Sequence, residues 1–125
     1  TTMKEIGRDI DSDYEPLNQA KGYDHNWALN HEKGDLALSA KAYDPKSGRT
    51  MDVYTDLPGI QFYTANSLHS SRGKDGAEYG ERSAYCFETQ YFPDAINKPQ
   101  FDSPVLKVGE EYHTTTIYHF GVEKY

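Results

Sequence analysis

The sequence predicts an all-β protein, an antiparallel β sheet closed as a sandwich, and three observations carry that expectation. Apolar and polar residues alternate in several segments, the period-two pattern that sends successive side chains to opposite faces of a strand. Clusters of Gly, Pro, Asp and Ser separate those segments, which is turn chemistry. No stretch repeats its apolar residues at helical spacing over a convincing length.

The elements follow in order. The first twenty residues are polar, with Asp9, Asp11, Asp13 and Glu15 gathered before Pro16, and are expected to form a loop or an extended arm. After Gly22, a short strand is expected around Trp27 and Leu29. Residues 36–43 alternate, 44–48 read Asp-Pro-Lys-Ser-Gly, and 49–55 resume the alternation. Pro45 presets the turn and Gly48 can take the left-handed conformation that closes it, so this is a hairpin. A further strand is expected over 59–64, entered through Leu57-Pro58-Gly59. Residues 70–82 are rich in Gly, Ser and charge and read as a surface excursion. Tyr85, Phe87, Thr89 and Tyr91 then alternate with Cys86, Glu88 and Gln90. A loop punctuated by Pro93, Pro99 and Pro104 leads to a last strand expected over 112–122.

At 125 residues the chain is one domain or part of one. Its net charge of −7, without a long Lys/Arg run, argues against nucleic-acid and anionic-membrane partners. No apolar stretch approaches a membrane span and no signal-peptide pattern occurs. The single cysteine, Cys86, allows no internal disulfide and fits a reducing compartment, so a cytoplasmic location is expected. Seven Leu, five Ile, four Val and five Phe are few for a self-sufficient core. Eleven Tyr and clear strand patterning argue against disorder, so the core is expected to be completed by further polypeptide.

Glu88 is the most informative residue: a carboxylate in an aromatic strand. In a partly dry pocket it suits general-base work; on an exposed sheet face it is a solvated residue. Gly22-Tyr23-Asp24-His25-Asn26 can present several hydrogen-bonding groups to a polyhydroxylated ligand, or can be an Asx turn bonded to its own backbone. Gln61 can point an amide into a cleft, as half-buried strands often do without function. Asp94-Ala95-Ile96-Asn97 reads as a short structural turn. The five histidines (His25, His31, His69, His113 and His119) are scattered without metal-ligand spacing, so no metal is expected. Cys86 has no paired histidine visible in the sequence. Gly73-Lys74-Asp75-Gly76 lacks the spacing of a phosphate-cradling loop.

Several of these motifs, in order along essentially the whole chain, resemble the aldose 1-epimerase (galactose mutarotase) family. They are Gly7-Arg8-Asp9-Ile10-Asp11, Gly22-Tyr23-Asp24-His25-Asn26-Trp27-Ala28-Leu29 and Leu57-Pro58-Gly59-Ile60-Gln61-Phe62-Tyr63-Thr64-Ala65-Asn66. Phe87-Glu88-Thr89-Gln90-Tyr91-Phe92-Pro93-Asp94-Ala95-Ile96-Asn97 continues the series. Val108-Gly109-Glu110-Glu111-Tyr112 and Thr116-Ile117-Tyr118-His119-Phe120 close it.

The resemblance implies a supersandwich fold with a sugar cleft on one sheet, and interconversion of the α and β anomers of aldohexoses such as galactose and glucose. No cofactor is implied. Glu88 is matched to the catalytic base that takes the anomeric hydroxyl proton, and a histidine of the family protonates the ring oxygen. Asp24 is matched to a sugar-binding aspartate and Gln61 to a further ligand contact. The resemblance makes residues 1–125 the C-terminal segment of a single mutarotase-like domain. The acid histidine, a second substrate histidine and a substrate arginine belong to an N-terminal portion outside this chain, and His25 is not that acid. Three expectations stand: an epimerase completed by other polypeptide, an inert carbohydrate-binding module, and an assembly fragment with open strand edges.

Overall fold

The computed structural model describes residues 2–123. The chain is dominated by strands in antiparallel sheets. In order they are β1 Asp24–Ala28, β2 Ala37–Tyr43, β3 Arg49–Thr55, β4 Gly59–Tyr63, β5 Ser71–Arg72, β6 Glu78–Tyr79, β7 Cys86–Gln90 and β8 Thr116–Val122. They form sheets of order β1-β4-β7, β2-β3-β8 and β5-β6. The chain divides into two compact units. One runs from the N-terminus through Asn26 and adds Gln61–Glu88; the other holds Trp27–Ile60 and the chain from Thr89 onward.

The first unit corrects the expectation of an N-terminal arm. Ile6–Arg8 form a 3₁₀ turn and Glu15–Ala20 a helix, α1. Pro16 sits at the helix start, where its missing N–H costs nothing, and Lys21, at φ 58, closes the other end by donating to the Leu17 carbonyl. Six residues cannot hold a helix by themselves. Burial does it: Leu17, Ile10 and Tyr23 form one apolar cluster, with Phe62 packed against it. Two apolar residues spaced among acids were enough to fold this stretch onto the sheet.

The same unit is tied by side chains. Thr64 N–H donates to Tyr23 O (3.0 Å), Asn66 Nδ2 donates to the same carbonyl (2.9 Å), and Thr64 Oγ1 donates to Asn66 Oδ1 (2.7 Å). Thr64 and Asn66 are buried, so each lost bond would strand a desolvated group. The excursion over 70–82 contains the two-residue strands β5 and β6 and ends at Arg82. Arg82 donates to both carboxylate oxygens of Asp11 (3.2 and 2.7 Å) and to Lys21 O (3.0 Å), and its own N–H bonds Ala65 O (3.1 Å). The Arg82 hydrogen bonds hold the Asp11 carboxyl below the ordinary Asp range.

The second unit holds the hairpin. Asp44 Oδ1 accepts from Lys46 N–H (3.2 Å), its Oδ2 accepts from Ser47 N–H (3.2 Å), and Gly48 takes φ 75. β2 pairs antiparallel with β3, with Ser39 left over as a bulge between Leu38↔Tyr54 and Ala40↔Val53. β3 pairs with β8 from Arg49↔Val122 to Thr55↔Thr116. As the middle strand, β3 carries the fully buried Val53 and Thr55. The last strand therefore starts at Thr116 instead of Tyr112. The reason is Asp56, whose carboxylate accepts from Thr115 N–H (3.0 and 3.1 Å) and from Thr114 Oγ1, diverting those residues into a side-chain tether.

Candidate functional site

The site elements are β1, β4 and β7, and their faces follow from a few contacts. Tyr23 O accepts from Thr64 N–H, and Leu29 N–H donates to Pro58 O (3.0 Å each). The partner number falls from 64 to 58 as the residue number rises from 23 to 29, so β1 and β4 run antiparallel in constant register. That register sets Asp24 opposite Tyr63 and Asn26 opposite Gln61, four residues on one face. Tyr23, His25 and Phe62 point the other way: Tyr23 meets His25 edge-on (6.0 Å) and Phe62 at a tilt (5.4 Å).

Phe87 fixes β7. Its ring stacks on Phe62 with centroids 5.1 Å apart and interplanar angle 27°, and Tyr85 meets it edge-on at 5.5 Å. On the far side of Glu88, Thr89 Oγ1 is hydrogen-bonded to Thr116 Oγ1 (2.6 Å). With Phe87 on the packed face, strand alternation sends Glu88 to the opposite one, the face of Asp24 and Gln61. Glu88 is exposed there, on an open sheet face and not in the partly dry pocket that suits a base, and no side chain of the described residues bonds its carboxylate. Asp24 is exposed and Gln61 half-buried. The two are joined: Gln61 Nε2 donates to Asp24 Oδ1 at 2.8 Å.

One sheet face thus carries the carboxylates of Asp24 and Glu88, the amides of Asn26 and Gln61 and the Tyr63 phenol, while the other is filled by rings. A carboxylate that accepts no hydrogen bond from the described residues is available to accept a proton from a ligand, and the bonded pair offers fixed acceptors for hydroxyl groups. His25 takes no part in that face. Its ring stacks on Tyr14 (6.4 Å, 21°) and its Nδ1 accepts from Asp24 N–H (2.8 Å), so it fixes the backbone at Asp24. Asp94 lies in a left-handed turn (φ 60), accepts from Asn97 Nδ2 (2.5 Å) and serves that turn. Among the described residues no three His, Cys, Asp or Glu side chains gather where they could hold a metal ion. No helix among them is long and apolar enough to cross a membrane.

Sequence reasoning missed the supports. Thr64 and Asn66 hold the Tyr23 carbonyl next to Asp24 from more than forty residues away, as the separations of 41 and 43 record. Their signal was Thr-Ala-Asn directly after a strand, a polar pair where the chain must turn, and Ala65 takes φ 54 there. Arg82 gave no signal, because its partner Asp11 lies 71 positions earlier.

The model of the family described as aldose 1-epimerase matches residues 1–119. The galactose mutarotase of Bos taurus is 46% identical over 102 residues, covering 81% of this chain and 30% of that protein. That of Homo sapiens is 45% identical over the same length, again 81% and 30%. The aldose 1-epimerase of Escherichia coli (strain K12) is 30% identical over 107 residues, 84% of this chain and 31% of its own length. The crystal structure of the GalM/aldose epimerase homologue from C. elegans superposes with a TM-score of 0.72 at 24% identity, covering 82% of this chain and 30% of that one. That likeness shows the fold. The chain spans about 30% of the length of these relatives. With its sheets, its ordered motifs and the match over residues 1–119 in agreement, the chain belongs to the aldose 1-epimerase family.

Proposed function

We propose that these residues supply the general base and part of the sugar-binding face of an enzyme that interconverts the α and β anomers of aldohexoses, galactose and glucose among them. The observation that carries this reading is the shared face of Glu88 and the bonded Asp24–Gln61 pair. Ring opening breaks the bond between C1 and the ring oxygen. It requires a proton to leave the anomeric hydroxyl and another to reach the ring oxygen. Glu88 takes the first; Asp24, held by Gln61, binds sugar hydroxyls. The second proton comes from polypeptide other than residues 1–125, which also completes the sandwich. Rotation about C1–C2 and reclosure on the other face give the second anomer, and the protons return by the reverse route. Base removal and acid delivery at two adjacent oxygens account for the reaction without a redox or metal step. The exposed, free thiol of Cys86 suits a reducing compartment, and we assign the activity to the cytoplasm.

Polarimetry on freshly dissolved α-galactose or α-glucose tests this in the full-length protein. Glu88→Gln is expected to lower kcat by roughly 10²–10⁴-fold, the range of general-base contributions, while sugar still binds. An unchanged kcat would remove Glu88 as the base. Binding of sugar by the wild type with no acceleration of mutarotation would make the protein a carbohydrate-binding module instead.

A further inference from the structure

The geometry points to Gln61 as a positioning residue for Asp24: the two act on the sugar as one hydrogen-bonded unit instead of two separate ligand contacts. The inference rests on the epimerase reading and says how its substrate face is held. A carboxylate can only accept, so the group donating at 2.8 Å must be the Gln61 amide nitrogen, which fixes the amide's orientation. In the β1–β4 register Gln61 stands directly opposite Asn26 and diagonal to Asp24. A diagonal pair lies roughly 7–8 Å apart at the backbone, a span that a long side chain bridges and a short one does not. Glutamine is the shorter-chain amide's one-carbon extension, and that carbon closes the gap to Oδ1.

The backbone on the Asp24 side is equally fixed. Its N–H donates to His25 Nδ1, and the preceding Tyr23 carbonyl is gripped by Thr64 and Asn66. With the main chain held, the carboxylate keeps only its side-chain torsions. Gln61 removes them by engaging Oδ1, so that Oδ2 meets the sugar in one orientation. A preset acceptor binds more tightly than a mobile one because its ordering entropy is spent before the ligand arrives.

A double-mutant cycle in the full-length enzyme reads this directly. Gln61→Leu keeps the volume and removes the donor; it is expected to raise KM about tenfold, the scale of one hydrogen bond to a charged group, and to move kcat much less. Gln61→Asn, too short to reach Oδ1, is expected to match Gln61→Leu. Asp24→Ala is expected to raise KM at least as far, and adding Gln61→Leu to Asp24→Ala to change it by less than about twofold. Losses that multiply in the double variant, or a Gln61→Asn enzyme with wild-type KM, would overturn the coupling while leaving the epimerase reading intact. A wild-type enzyme that does not accelerate mutarotation overturns that reading and this inference together. Unchanged thermal midpoints across the set identify the effects as local to the sugar face.

Discussion

In the sheet of β2, β3 and β8, strands find one another through the backbone: β3 and β8 pair at every position from Arg49↔Val122 to Thr55↔Thr116, and an Asp44–Gly48 turn launches the hairpin. Around Tyr23 and Asp24 the ties are side chains reaching far along the sequence, with Thr64, Asn66 and Arg82 bonding Tyr23, Asp11 and Lys21. In the first region the hairpin is specified locally, and the β3–β8 ladder, distant in sequence, repeats its pairing residue by residue. The second is specified by a handful of individual atoms, several of them converging on the Tyr23 carbonyl. A functional face needs side chains in fixed places, and clamps of this kind supply them where a ladder alone sets only the strands.

The sharpest way to test that contrast is to remove one clamp. Asn66→Ala deletes two buried hydrogen bonds and is expected to destabilise the protein by about 2–3 kcal/mol, measured by urea unfolding of the full-length chain. Sugar KM should rise as well, because the Tyr23 carbonyl loosens beside Asp24. On the ladder side, Val53→Ala opens a cavity in the central strand. Its expected cost is about 2 kcal/mol, with KM unmoved. If Val53→Ala altered KM and Asn66→Ala did not, the division of labour would be reversed.

The smallest effect concerns acid. Burial pushes the Asp56 carboxyl up, but its bonds from Thr114 Oγ1 and Thr115 N–H outweigh that, and the net pKa is lowered from its ordinary 3.8. A depressed folded-state pKa gives stability that is present above 3.8 and is lost as pH falls through the lower folded value. Asp56→Asn should therefore flatten part of the acid limb of the melting temperature and fray the start of β8 at neutral pH. An acid limb identical to wild type would show that the tether contributes nothing.

The same contrast explains what could be read in advance. The hairpin was legible because Pro45, Gly48 and the flanking alternation are local instructions. The face of Glu88 was legible because the alternation that puts Phe87 on the packed face needs no distant information. The N-terminal stretch was misread as an arm: its acids dominate the composition, while its fold depends on Ile10 and Leu17 meeting Tyr23. Thr114 and Thr115 kept strand alternation yet left the sheet, since the Asp56 carboxylate takes the Thr114 hydroxyl and the Thr115 N–H. The pairing of Asp24 with Gln61 spans 37 positions and emerges only when β1 and β4 lie side by side.

Arg82 is fastened to Asp11, Lys21 and Ala65 just upstream of β7. That knot separates the preceding β5–β6 ribbon from β7, much as a stitch stops a loose thread from pulling a seam. Extra residues spliced in near Asp75 should bulge outward and leave Glu88 in place, which makes that tip a natural port for a fluorophore or an affinity tag. A single residue spliced between Arg82 and Phe87 has no such buffer, and would turn a benzyl ring to the face where the Glu88 carboxylate stands.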